Sequence, residues 1–342
     1  MFKSFRGVVS LSKSLSAYVL GLGLLSSLGS VQAQTFSFAL WGDMPYQKAG
    51  DAPKIPALIK SINQSDVDFS IYDGDLKDGS SLCLNSTFDD GLKMFNSLQK
   101  PAIYSPGDNE WTDCHRTNNG GYDTLERLRY LRKVMFPTLN SLGQQQMPLI
   151  HQGALGEKFV ENVRFTYKNV VFVTLNMPGS NNNKVEGDED CTYKSARTLA
   201  QCDADNVEYL ERDAANIAWI RQAFAEAKKT KAIGLVMAFQ ADPEFAPTHG
   251  GKAFPGEPEL SGYKNFMAAV IQETEKYAGQ VLLVHGDSHF FRLDKPFYHH
   301  GELLTNITRL ETFGSPLIHW VHVSVDPTNP NVFTVQPVIV KQ

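Results

Sequence analysis

The sequence predicts an α/β fold. Short apolar, β-rich runs alternate with segments whose apolar residues recur at helical spacing. The central runs read as strands buried on both faces. No internal repeat and no low-complexity linker interrupts the chain, so residues 34–342 are expected to form a single domain.

Taken in order, FSFALWGD (36–43) reads as a strand. Segment 53–64 reads as a helix because Ile55, Leu58, Ile59 and Ile62 fall on one side. Residues 67–75 form a strand, 91–99 a short helix, and 101–110 a strand running into a loop. Residues 124–136 form a helix carrying Leu125, Leu128 and Leu131 on one face. Segment 163–179 reads as a hairpin turning at Lys168 and Asn169, and 180–203 as a polar, acidic loop. The longest helix is expected over 206–229, followed by a strand at 232–242 and a helix at 262–277. VLLVHGD closes a strand over 280–287, and LIHWVHVSVD and VFTVQPVIV make a strand-rich tail.

Residues 1–33 differ from the rest. They carry Lys3, Arg6 and Lys13 and no acidic residue, then an apolar stretch from Ala17 to Leu28 and small residues ending at Ala33. This is the pattern of a secretory signal peptide cleaved before Gln34, against an uncleaved anchor as the alternative. The stretch falls short of the roughly 20 residues a membrane span needs, and no later run reaches that length. Removing it takes three of the 32 Lys and Arg and none of the 37 Asp and Glu, leaving a net charge of −8. That excludes a broad nucleic-acid footprint. Cys83, Cys114, Cys191 and Cys202 are an even set in an exported chain, which suggests two disulfides. The expected pairing is Cys83–Cys114 and Cys191–Cys202, the second closing a short polar loop. No CxxC spacing points to a cysteine zinc site. The expected location is secreted or periplasmic. Asn63, Asn85 and Asn306 sit in N-x-S/T patterns, which matter only in a glycosylating host.

The chemistry lies where strands end. LWGDMPY, YDGDLKDG, SPGDNEW and VHGDSHF each place Gly-Asp directly after a strand, and FQADPEF ends another. Ligands of open α/β sheets bind outside the carboxyl ends of strands. Asp43, Asp75, Asp108 and Asp287 are therefore expected to converge, joined by His289, with His285 as a further candidate. Gathered carboxylates stay ionised only around positive charge, and a divalent metal pair supplies it. The preceding glycines are expected to let the backbone turn sharply towards the ions.

This order of motifs resembles the calcineurin-like metallophosphoesterase superfamily over most of the chain, from Trp41 to about His322. The resemblance implies a sandwich of two mixed β-sheets flanked by helices, two divalent ions, and hydrolysis of a phosphate ester by a metal-bridged hydroxide. It assigns metal ligation to Asp43, Asp75 (bridging), Asp108, Gln240, Asp287 and His289. The ligand types depart from the family pattern. Pro45 replaces a histidine of the first motif, Asp108 an asparagine, Asn109 the acid histidine, and Asp287 the first imidazole of Gly-His-x-His. The later lone histidine is Gln240 or Asp242. Carboxylates for imidazoles favour Mn²⁺, Mg²⁺ or Ca²⁺ over zinc or iron. More negative charge should also make the bound water less acidic.

Asn109 can donate a hydrogen bond but cannot deliver a proton. His115 is a candidate replacement acid and Arg116 a phosphate clamp, with Glu110 completing the third motif; the plain readings are an exposed loop residue and a surface ion pair. His285 is either a supporting residue or a satisfied core histidine. PGSNNN (178–183) reads as pocket lining or solvent loop, with Asn176 at the strand end before it. The other histidines, His151, His249, His299, His300, His319 and His322, match no motif. Three functions are open: a secreted phosphoesterase acting on a small or phosphorylated substrate, a non-catalytic binder of metal or a phosphorylated ligand, and a scaffold with one structural Ca²⁺.

Overall fold

Alternation along the strands divides the apolar side chains between two faces, and both faces are covered. In the computed structural model, residues 34–243 and 261–341 are described, together with Met1 and Gly7. Apart from those two residues, the expected signal segment lies outside the described residues, as does His249. Residues Ala33–Gln342 form one compact unit.

The chain runs through β1 (Phe36–Trp41), α1 (Ile55–Asn63), β2 (Phe69–Tyr72), α2 (Asn85–Phe95), β3 (Ala102–Tyr104) and α3 (Thr124–Met135). Next come β4 (Ile150–His151), β5 (Val163–Tyr167), β6 (Val170–Thr174), the short turns α4 (Gly179–Asn182) and α5 (Asp188–Thr192), α6 (Leu199–Thr230) and β7 (Gly234–Ala238). It ends with α7 (Lys264–Glu275), β8 (Gln280–His285), β9 (Arg292–Asp294), a small ladder of β10 (Tyr298–His299) and β11 (Glu302–Leu303), β12 (Ile307–Glu311), β13 (Trp320–Val325) and β14 (Phe333–Val338).

Two mixed sheets result, ordered β14-β13-β1-β2-β3 and β4-β5-β6-β7-β8-β12-β9. β1, β2 and β3 are parallel, as are β6, β7, β8 and β12. Phe36, Phe38 and Leu40 of β1 meet Phe69, Phe172, Leu282 and Val284 between the sheets. Phe38 stacks on Phe69 with ring centroids 5.5 Å apart. The intervening Ala39 and Trp41 face outward, against Leu58 of α1, Phe95 of α2 and Leu131 of α3. On the far side, Val171, Met237 and Leu283 pack under Trp219 and Phe224 of α6 and Phe266 of α7. Each fully buried side chain of this kind contributes about 1.5–3 kcal/mol.

Several expectations need correction. The polar loop expected over 180–203 is a turn, a short helix and the first turn of α6. That helix starts at Leu199, seven residues early, because Thr198 and Gln201 form a capping box. The helix expected over 91–99 runs instead from Asn85 to Phe95. β12 was not anticipated. It carries Arg309 and Glu311 inside a central strand, and Arg309 is neutralised by a two-pronged ion pair with Asp294 of β9.

The two disulfides are Cys83–Cys114 and Cys191–Cys202, with Cα separations of 5.7 and 5.9 Å. Among the described residues, no helix is long and apolar enough to cross a membrane.

Candidate metal centre

The carboxyl ends of β1, β2, β3, β7 and β8 meet at one edge. One carboxylate oxygen each from Asp75, Asp108 and Asp287 lies within 4.8 Å of the others. Asp43 joins them, its two oxygens each 3.2 Å from the Asp287 N–H. His289 Nε2 is 3.5 Å from Asp43 Oδ1. Asp75 is the most heavily held. It accepts from the Asn109 side chain (2.6 Å), the Tyr46 hydroxyl (2.9 Å), the Asn109 N–H (3.1 Å) and the Gln240 amide (3.3 Å). The Gln240 amide also donates to Asp108 at 3.3 Å, and Ser180 Oγ donates to Asp108 at 2.7 Å.

Glycine and aspartate divide the work of these turns differently from the expectation. The residues with positive φ are the aspartates: Asp43 at 51°, Asp75 at 67° and Asp287 at 74°, with His289 at 69°. Asp tolerates this left-handed region better than most residues, and such backbone clusters at functional sites. Of the four preceding glycines only Gly74 has positive φ. Gly107 and Gly286 are needed for close approach. A Cβ on Gly107 would lie 2.0 Å from Asp75 Oδ1, and one on Gly286 would lie 2.0 Å from Asp43 Oδ2. Each turn thus leaves room for the carboxylate of another.

Burial is the largest influence raising the pKa values of Asp43, Asp75 and Asp287, and neighbouring carboxylates add to it. For Asp75 and Asp287 the leading neighbour is Asp108; for Asp43 it is Asp73. Asp73 itself is pushed up to about 7 by burial. The nearby cations are occupied. Lys77 Nζ donates to the carbonyls of Asp78 (2.7 Å) and Asn109 (3.0 Å), and Arg116 pairs with Asp113 at 2.5 Å. A concentrated, oxygen-rich negative charge with room kept open by glycine fits divalent cations. Asp43, Asp75, Asp108, Asp287 and His289 are the residues placed to hold them, with Gln240 at the edge.

The other expected residues sit as follows. Asn109 bridges Asp75 and the Tyr46 hydroxyl. Glu110 lies under the turns, where its Oε1 accepts from the Tyr104 hydroxyl and from the N–H groups of Gly107 and Asp75. It braces two Gly-Asp turns. His115 bonds Ser195 through Nδ1 at 2.9 Å, and burial, then Arg197 and Arg116, drop its pKa to about 3. It stays a neutral ring directed at Ser195. Arg116, one residue on, does reach the site: it donates to Ser180, and a Cβ on Gly79 would touch both it and Asn109. Gln240, not Asp242, sends its side chain into the cluster; Asp242 accepts from Ser288. PGSNNN is packed in place, with the Gly179 N–H on Gln240 and Ser180 on Asp108 and Asp113. Asn176 is bonded to Glu161, away from the aspartates.

Sequence reasoning missed Tyr46 and Asp73, and offered Ser180 only as part of PGSNNN. Tyr46 had a usable signal, an aromatic hydroxyl three residues after Asp43 in a strand-end turn. Its hydroxyl is 2.9 Å from Asp75 and 3.3 Å from His289 Nε2. Nothing in the sequence singled out Ser180 within PGSNNN, because a chain reversal through four successive left-handed residues brings it in.

No protein-family model matches the chain, and no curated protein matches it in sequence. In structure it is similar to PhoD, at 13% identity and a TM-score of 0.53, over 90% of this chain and 69% of that one. Lower scores join it to GAP50, the anchor in the inner membrane complex of Plasmodium (12% identity, TM-score 0.44, 90% of each chain). A purple acid phosphatase from yellow lupin (Lupinus luteus) seeds matches at 12% identity and a TM-score of 0.47, over 86% of this chain and 50% of that one. With its two mixed sheets between helical layers, the chain has the fold of the calcineurin-like metallophosphoesterases.

Proposed function

We propose that the chain is a secreted, metal-dependent phosphoesterase, its residues 1–33 a signal peptide and 34–342 one catalytic domain. The observation that carries this reading is the convergence of Asp43, Asp75, Asp108, Asp287 and His289 on one sheet edge. Two divalent ions bound there, Mn²⁺, Mg²⁺ or Ca²⁺ by the chemistry of the donors, would supply Lewis acidity towards a phosphoryl group and its attacking water. The protein's part is placement. Tyr46, Asn109 and Gln240 fix the rotamer of Asp75 with four hydrogen bonds. The His289 Nδ1 bonds the Ser315 carbonyl at 2.7 Å, which orients Nε2 towards Asp43. Arg116, paired with Asp113 but with its side chain 37% exposed, would take up a phosphate oxygen beside Asn109 by sharing that pair.

Among the described residues, the third motif offers the leaving alkoxide no imidazole donor. Asn109 carries no transferable proton and His115 is directed at Ser195. Turnover should therefore favour esters with acidic leaving groups, and aryl phosphates should be hydrolysed far faster than alkyl phosphates. The same gap favours a second reading, a phosphatase-like protein that binds metal or a phosphorylated ligand without turnover. Metal-stripped protein assayed on p-nitrophenyl phosphate and bis(p-nitrophenyl) phosphate with Mn²⁺, Mg²⁺ and Ca²⁺ separates the two. Metal-restored activity that Asp75→Asn abolishes supports the enzyme; tight metal binding with no turnover supports the binder.

A further inference from the structure

Beside the four aspartates lies a second group, which the motifs did not bring together. His285 ends β8, Glu311 ends β12 and is its direct partner in the parallel ladder, and Asp242 follows β7. One donor atom from each lies within 4.8 Å of the other two. His285 and Glu311 are fully buried. The His285 Nδ1 is 2.9 Å from the Gly286 carbonyl, so it carries the ring proton and leaves Nε2 as a bare lone pair. That Nε2 is buried and has no hydrogen-bond partner.

Two carboxylates therefore meet an imidazole lone pair that has no donor. The Phe290 N–H donates to Glu311 Oε1 and Ser288 Oγ to Asp242 Oδ2. Arg292, 42% exposed, approaches Glu311 Oε2 at 3.4 Å, and Arg309 donates to Asp294. None of these reaches the imidazole lone pair. A buried acceptor left unmet is destabilising.

We propose that Asp242, His285 and Glu311 bind a third divalent transition-metal ion, separate from the centre formed by Asp43, Asp75, Asp108 and Asp287. One imidazole and two carboxylates suit zinc or manganese. The ion would join the ends of β7, β8 and β12. It would also anchor Asp242, whose backbone N–H donates to Asp287 Oδ2 at 3.0 Å and so helps set that carboxylate.

The test counts zinc, not turnover. Full-length protein is stripped with a chelator, equilibrated with Zn²⁺, freed of excess by gel filtration and measured by mass spectrometry of the metal. Asp75→Asn disables the first centre and is expected to retain one tight zinc per chain. Adding His285→Ala, or separately the isosteric Glu311→Gln, should bring this to zero, with folding checked by far-ultraviolet circular dichroism. Asp75→Asn protein that holds no zinc, or a folded double variant that still holds it, overturns the proposal. Neither result depends on whether the protein hydrolyses phosphate esters.

Discussion

Asp287→Asn should stabilise the metal-free protein and remove its response to metal. Asp287 Oδ2 accepts the Asp242 N–H at 3.0 Å, and an asparagine keeps an oxygen there. The new amide would place a donor among acceptors. The carboxylate oxygens of Asp75 and Asp108 lie within 4.8 Å of that of Asp287. At an effective dielectric of about 20, each such repulsion is about 3 kcal/mol. Proton uptake in the wild type relieves part of it, leaving a gain of about 2–3 kcal/mol. A unit of roughly 300 residues has an unfolding entropy of about 0.6 kcal/mol/K, so the melting temperature should rise by about 3–5 °C. Wild-type protein should respond oppositely to metal: a divalent ion at about 100 times its Kd adds about 2.7 kcal/mol, or about 4 °C. Differential scanning calorimetry of chelator-treated protein at pH 7, with and without Mn²⁺, reads both effects. A variant that melts below wild type without metal, or that gains as much from Mn²⁺, would refute the claim that these carboxylates form a cation site.

Metal-free wild-type protein should lose stability as pH rises from about 4 to about 8. Raised carboxyl groups hold protons more tightly folded than unfolded, so they favour the folded state below the unfolded pKa and lose that advantage as pH passes the folded value. That value is about 7 for Asp73 and Asp113, and Asp43, Asp75 and Asp287 are shifted in the same direction. Melting curves across this range check the slope, and saturating metal should flatten it. Glu161→Ala should cost about 3–5 kcal/mol in urea unfolding, because it strands the buried Arg132 that now pairs with Glu161 at 2.6 Å. Replacing Cys83 and Cys114 by serine reopens a loop of sequence separation 31, with an expected loss of about 3–4 kcal/mol. A double variant melting within a degree of wild type would count against that cross-link.

How much of this was legible depended on which forces were local. Strands such as FSFALW are buried at every position and apolar at all but Ser37, because both faces are covered, so composition exposes them. The start of α6 was legible in principle, since Thr198 and Gln201 have capping-box spacing, yet acidic surroundings made the segment read as loop. β12 was hidden for a different reason. Its charges at Arg309 and Glu311 violate a strand pattern locally and are offset by Asp294 and Arg292 of another strand. Charge satisfied across a sheet leaves no periodicity to read.

At the site, the repeated Gly-Asp pairs announced convergence but not the reason for the glycines. Their spacing suggested that glycine makes the turn. The aspartates make it at three of the four ends, in left-handed conformations, while Gly107 and Gly286 clear space for Asp75 and Asp43 of other turns. The turns are thus interlocked: enlarging one glycine displaces a carboxylate belonging to a different strand. Gly107→Ala should therefore disturb the centre through Asp75, although Asp75 is distant in sequence and Asp108 is the adjacent residue. Competition titration against a fluorescent chelator reads this directly. A metal affinity at least tenfold weaker than wild type, in a variant that keeps its fold, is the result the interlocked geometry requires. An unchanged affinity would mean that the four turns act independently.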